Sequence, residues 1–247
     1  MTLPLYSESR GTGGVPVLFA HSFAGDCSHW SATLDHLKAQ RRVVAFDFSG
    51  HGRSPGGLGG YGIAELAKDI GAVADAQQLD HFVLVGHSLG AAAAAEYAGS
   101  HPARVKALVL VDPPPAPGAI PPDQVKQLHA AIAKDAYPVI EQFWNQQAFI
   151  DTRAEVKQRL LAGLRGLTRR AATEITSASL DYDARAALTR YPGPKFAIVT
   201  ARNDEPLSLH NTVAGVRHAV IRGTGHWIHL DKPEEFNKVL DGFLSTL

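Results

Sequence analysis

The chain of 247 residues has little cysteine: Cys27 stands alone. No intramolecular disulfide can form, and a metal site built on several thiolates is excluded. There is no excess charge of either sign, since 24 Lys and Arg balance 24 Asp and Glu. This argues against nucleic acid or an anionic membrane surface as partner, and no charge block reads as a tail. Long apolar runs are missing too. The alanine-rich stretch after Leu89 is interrupted by Glu96, too soon to span a bilayer, so no membrane insertion is expected. The start, MTLPLYSESR, has neither a cationic beginning nor a long apolar segment, and reads as mature cytoplasmic sequence rather than a signal peptide. Twelve histidines are scattered, without an H-E-x-x-H pair, so no zincin-type metal helix is expected.

What is present alternates. Val15–Ala20, Val43–Phe46, Phe82–Val85, Ala107–Val111, Phe196–Thr200 and His218–Ile221 read as strands, mostly apolar on both faces. Amphipathic segments lie around Trp30–Ala39, Ile63–Gln78, Leu89–Ser100, Pro206–Ala214 and Glu234–Leu244. Such alternation predicts an α/β fold: a doubly wound, mostly parallel sheet with right-handed crossovers. Leu3–Ser9 is a candidate antiparallel edge strand. Residues 113–194 break the rhythm. They open on PPPAPGAIPP, close on Tyr191-Pro192-Gly193-Pro194, and carry helical patterns near Asp123–Ala133, Pro138–Phe149, Ala154–Leu164 and Arg169–Ser179. Prolines end secondary structure at both borders. The expectation is a helical cap, 113–194, inserted into a core made of 1–112 and 195–247.

The strongest chemical signal is FVLVGHSLGAAAAAEYA. A strand runs into Gly86-His87-Ser88-Leu89-Gly90 and then into a helix. The G-x-S-x-G spacing has a steric reason: the serine occupies a strained turn, so positions two before and two after must be almost without side chains. The turn lifts the Ser88 hydroxyl above the sheet and aims the first helical amides at a developing oxyanion. A serine needs a base, and the base an orienting acid. His226, in IRGTGHWIHLDKPEEF, is the expected base, because Gly223 and Gly225 let its loop bend over the elbow. His229 is the rival, more readily placed as a packing or capping residue. Asp204, in KFAIVTARNDEPLSL, is favoured as the acid by the order Ser–acid–His. Asp112, which also ends a core strand, is the alternative.

Taken with HSFAG after the first core strand, FDFSGHGRSP after the second, the ARNDEP loop and the GTGH turn, these motifs resemble the α/β-hydrolase family over nearly the whole chain. The resemblance implies that the Leu89 and Phe23 amides form an oxyanion hole. Asp47 and His51 of the GHGRS loop read as structural. An apolar roof over the cleft would draw on Phe23, Phe143, Trp144, Tyr137 and Trp227, with Ser22 and His87 as further substrate-binding positions. The family commonly has His-Gly where this chain has His21-Ser22. That serine is similar to the one in 3-oxoadipate enol-lactonases and tilts the reading towards lactones.

The expected activity is hydrolysis of a small-molecule carboxylic ester or lactone through an acyl-enzyme on Ser88, without cofactor or metal, by a monomer or homodimer. Serine at the elbow argues against dehalogenase or epoxide-hydrolase chemistry, which uses aspartate there. A lyase or C–C bond hydrolase similar to the menaquinone-pathway enzyme is the second class. That enzyme's substrate-holding arginine would fall at Ala92, which weakens the likeness. Haloperoxidase or perhydrolase side activity needs only the same three residues. A non-enzymatic receptor is the third class.

Overall fold

The structure is a computed structural model describing residues 4–57, 59–118 and 120–247. Leu3 of the expected edge strand, and Ala119 within the proline-rich segment, lie outside them. Seven strands form one sheet: β1 (Ser7–Arg10), β2 (Val17–Ala20), β3 (Val43–Phe46), β4 (Phe82–His87), β5 (Val105–Val111), β6 (Lys195–Thr200) and β7 (Val216–Ile221). Their order is β1-β3-β2-β4-β5-β6-β7. Only β1 runs antiparallel, pairing Ser7 with Phe46 on β3. Strands β2 to β4 are buried on both faces, which is why their sequences are continuous apolar runs rather than alternating ones.

Helices α1 (Ser31–Leu37), α2 (Ile63–Ala76) and α3 (Leu89–Ser100) follow the first strands. Between β5 and β6 come α4 (Pro122–Lys134), α5 (Ala136–Phe143), α6 (Ala154–Gly166), α7 (Arg169–Asp181) and α8 (Ala184–Arg190). The chain ends with α9 (Leu209–Thr212), α10 (Ile228–Asp231) and α11 (Pro233–Leu244). On one face of the sheet, Leu66 and Ile70 of α2, Ala93 of α3 and Leu188 of α8 pack on Leu18, Leu84 and Leu110. On the other, Leu34, Leu37, Phe236 and Leu240 of α1 and α11 pack on Phe19, Val85, Val109 and Ile198. The alanine-rich helix α3 lies in the centre of its face. Its small side chains let the flanking helices approach closely: a Cβ on Gly99 would fall 2.6 Å from the Ala187 carbonyl oxygen of α8.

The inserted helical stretch does not behave as one layer. Helix α8 belongs to the sheet-facing core, together with Ala184 and Ala187. Helices α4 to α6 instead build a third cluster from Ile132, Ile140, Trp144, Leu160 and Leu164, which also takes in Ala24 and Trp227 from the loops after β2 and β7; α7 straddles the two, with Ala172 in this cluster and Ala171 and Ile175 in the sheet-facing core. The expected helix Pro138–Phe149 is divided: α5 stops at Phe143, and a wide π-type turn carries Trp144–Ala148. The expected Pro206–Ala214 helix shrinks to α9, because Glu205–Ser208 close a turn of their own through the Ser208 N–H and the Glu205 carbonyl. No helix among the described residues is long and apolar enough to cross a membrane.

Candidate active site

Ser88 stands between β4 and α3 with φ 52° and ψ −112°. A non-glycine residue there costs about 1–3 kcal/mol and persists only where its surroundings enforce it. Those surroundings are visible. The Ser88 N–H donates to the Val111 carbonyl at 2.9 Å, and the Ser88 carbonyl accepts from Ala91 and Ala92. A Cβ on Gly86 would collide with the Gly90 backbone, and one on Gly90 would fall 2.5 Å from the Ala20 and His21 carbonyl oxygens. Both glycines of the motif are therefore required by close backbone approach.

Two contacts bring the other groups to the elbow. His87, the residue before Ser88, places Nε2 3.0 Å from the carbonyl oxygen of His226. Val111, which accepts the Ser88 N–H, precedes Asp112. His226 Nδ1 lies 2.5 Å from Asp112 Oδ2. The carboxylate faces Nδ1, so that nitrogen carries the proton and Nε2 keeps a lone pair for a second partner. Asp112 is itself tightly held. It has φ 39°, and its Oδ1 accepts from the Thr200 N–H at 2.9 Å, the Thr200 hydroxyl at 3.1 Å and the Asn203 amide at 3.1 Å.

The structure thus pairs His226 with Asp112 and not with Asp204, the residue favoured by sequence order. The reason is local. A short 3₁₀ turn, Ala201–Asn203, follows β6 and directs Asn203 towards Asp112. Asp204 comes one residue later and turns away, with Oδ1 3.0 Å from His210 Nε2 and 4.0 Å from His218 Nε2. His229 is fully buried and stacked on Trp30 with centroids 4.0 Å apart. Burial pushes its pKa well below the ordinary histidine value.

The His21–Ala24 loop is fixed from beneath. The Phe48 N–H donates to His21 Nε2 at 3.0 Å, so the ring proton sits on Nδ1 and is donated to the Ser22 carbonyl at 2.7 Å. Burial lowers the His21 pKa to about 4 and keeps the ring neutral. The Gly25 N–H also donates to the Ser22 carbonyl, and Ala24 has φ 56°. Among the described residues, neither the Phe23 nor the Leu89 amide donates to a protein acceptor. The Ser22 hydroxyl accepts the indole N–H of Trp227 at 3.0 Å.

The other expected residues separate. Trp144 is buried in an aromatic cluster, 6.2 Å from Phe23 and 5.6 Å from Trp227 between centroids. Trp227 is itself buried, so it backs the site instead of facing an open cleft. His87 is also buried, behind His226, and is held neutral by burial and by the neighbouring His226 and His229. Its contact in the site is with the His226 backbone. Phe143 stands outside the cluster, 58% exposed on the solvent side of α5. Tyr137 donates its hydroxyl to the Leu167 carbonyl at 2.6 Å, tying two helices together. In the GHGRS loop, Asp47 accepts from the Cys27 and Arg53 amides at 2.6 and 2.8 Å. His51 is buried, with a pKa lowered to about 3 by that burial.

Three residues near the site carry no sequence signal. Thr200 and Asn203 cradle Asp112, and Thr152 sits so close to Gly225 that no side chain fits there. Hydroxyls and amides after strands are too common for spacing to single them out.

A family model described as "Alpha/beta hydrolase family" matches residues 17–239. The chain is 29% identical, over 96% of its length, to the dihydrolipoyllysine-residue acetyltransferase component of the acetoin cleaving system of Pseudomonas putida, covering 65% of that protein. It is 40% identical over 44% of its length to a putative carbamate hydrolase of Variovorax paradoxus, covering 42% of that protein. The chain therefore spans less than two thirds of either curated relative. Among solved structures, Est816, an N-acyl homoserine lactone degrading enzyme, superposes with a TM-score of 0.78 at 25% identity, covering 97% of this chain and 96% of that one.

Proposed function

The chain belongs to the α/β-hydrolase family, and on that premise we propose that it is a serine hydrolase of small carboxylic esters or lactones, using Ser88, His226 and Asp112. The observation that carries this reading is the 2.5 Å contact between His226 Nδ1 and Asp112 Oδ2 beside a strained elbow serine. Ser88 Oγ attacks the acyl carbon while His226 Nε2 takes its proton. Asp112 holds the ring in the tautomer that leaves Nε2 basic and stabilises the imidazolium that forms. The negative charge on the tetrahedral oxygen falls between the Phe23 and Leu89 amides, and losing one such donor typically costs about 3 kcal/mol. His226 returns its proton to the leaving oxygen. It then activates water to release the acid from Ser88.

Helices α4 to α7 serve as the cap in this proposal, their aromatic cluster backing the oxyanion loop at Phe23 and Ala24. The names of the relatives support acyl chemistry of this kind: acetyl transfer, carbamate hydrolysis and lactone degradation. The balanced charge supports a small molecule over nucleic acid as the partner, and the proposal takes the protein as a monomer or homodimer acting in the cytoplasm.

The test is a panel of p-nitrophenyl esters and lactones, with fluorophosphonate labelling of Ser88. Wild type should turn over at least one short-chain ester or lactone and take the label, and Ser88→Ala should do neither. A wild type that neither turns over nor labels would leave a receptor as the better reading. Label without ester or lactone turnover would redirect the search to C–C bond cleavage.

A further inference from the structure

Asp204, released from the triad, has two other partners. Its Oδ1 lies 3.0 Å from His210 Nε2 and 4.0 Å from His218 Nε2. The three ligand-type atoms all fall within 4.8 Å of one another. The two imidazoles stack with centroids 4.1 Å apart, and both place Nε2 within 4.0 Å of the same carboxylate oxygen. The His210 side chain is fully buried, and its Nδ1 has no hydrogen-bond partner among the described residues. A neutral ring that carries its proton on Nε2 donates it to Asp204 Oδ1 as an ordinary hydrogen bond; in the other tautomer, with the proton on Nδ1, the two Nε2 lone pairs and Oδ1 are free to hold a cation.

We propose that Asp204, His210 and His218 form a surface site for a zinc-class divalent transition-metal ion. Two imidazole nitrogens and one carboxylate oxygen are a donor set that such ions favour. A tetrahedral zinc shell places its ligand atoms roughly 3.3 Å apart, given bonds of about 2.0–2.1 Å. The observed separations require only modest closure to reach it. Calcium and magnesium are disfavoured, since the set offers a single carboxylate and two nitrogens.

The site is anchored on three elements. Asp204 follows the 3₁₀ turn after β6, His210 lies on α9, and His218 sits on β7 in register with Ala197 of β6. Ser208 fixes the loop between them, donating its hydroxyl to the Asn203 carbonyl at 2.6 Å and accepting the Glu205 N–H at 3.0 Å. The neighbour of Asp204 is Asn203, whose amide donates to Asp112. A bound ion therefore clamps the loop that cradles Asp112, without touching the groups that react.

Metal binding is measured directly, so the test is independent of the Ser88 chemistry. Untagged protein stripped with chelator is titrated calorimetrically with zinc, and with cobalt while its ligand-field bands are followed. One ion should bind per chain, with bands typical of a low-coordinate N,O site, and zinc should raise the melting temperature. Asp204→Asn and His218→Gln change exposed positions and should keep the metal-free melting temperature. Each should weaken binding by more than about tenfold. Absence of saturable zinc binding in wild type overturns the proposal. So does binding of undiminished affinity in both variants.

Discussion

The indole N–H of Trp227 donates to the Ser22 hydroxyl across 3.0 Å, joining the residue after His226 to the loop that carries the Phe23 amide. Both groups are buried. The unusual serine after His21 thus joins the loops that carry the proposed base, His226, and the proposed oxyanion amide, Phe23. Glycine at that position would leave the indole N–H without its acceptor. Ser22→Ala and Ser22→Gly should each cost about 1–3 kcal/mol, the usual penalty for an orphaned buried donor. Chemical denaturation checks this. Cysteine, a weak acceptor of similar size, should recover part of the loss, and full stability in both variants would show that the hydroxyl only fills space.

Gly163 of α6 lies against Ala24, and any Cβ at position 163 would collide with the Ala24 carbonyl. Ala24 is already in the left-handed region at φ 56°. Gly163→Ala should therefore push α6 away from the oxyanion loop, at a stability cost of about 1–3 kcal/mol for overpacking. Turnover should fall while fluorophosphonate labelling of Ser88 still proceeds, more slowly. Gly166→Ala on the same helix meets nothing within 4 Å and is the control. Steady-state kinetics on the two variants separates the local clash from a general effect on α6.

Buried histidines make the fold sensitive to acid. Burial lowers the pKa of His21 to about 4, and of His29 and His51 to about 3. The unfolded chain takes up these protons near pH 6.5, whereas the folded chain stays neutral until much lower pH. Between these values the unfolded state binds more protons, so stability is greatest above about pH 6.5 and falls as pH drops towards the folded values. At pH 5 each such histidine contributes a loss of roughly 1–2 kcal/mol. Urea midpoints measured from pH 7.5 to 5 should fall steadily, and the slope should flatten in a His51→Gln variant.

The elbow is legible because its chemistry and sterics coincide in five consecutive residues. Gly86 and Gly90 have no room for a Cβ, and strand and helix abut on either side. The strands are legible because a sheet buried on both faces demands continuous apolar runs. The acid is not legible in the same way. Asp112 and Asp204 both follow core strands and both lie between Ser88 and His226, so the order Ser–acid–His, read as favouring Asp204, admits Asp112 as well. What separates them is backbone geometry: φ 39° at Asp112, and a 3₁₀ turn that presents Asn203 in place of Asp204. The roof residues separate for a simpler reason. Phe143 and Trp144 are adjacent and equally helical, and one step of about 100° around the helix exposes one and buries the other.

The pairing of His226 with Asp112 is tested most directly by kcat/KM for Asp112→Asn and Asp204→Asn on the best ester or lactone substrate. Asparagine at 112 keeps the shape but favours the wrong tautomer of His226, and should lower kcat/KM by about 100- to 10,000-fold. Asp204→Asn should stay near the wild-type value. A large loss at Asp204 with little change at Asp112 would contradict the account and return the acid to the loop after β6.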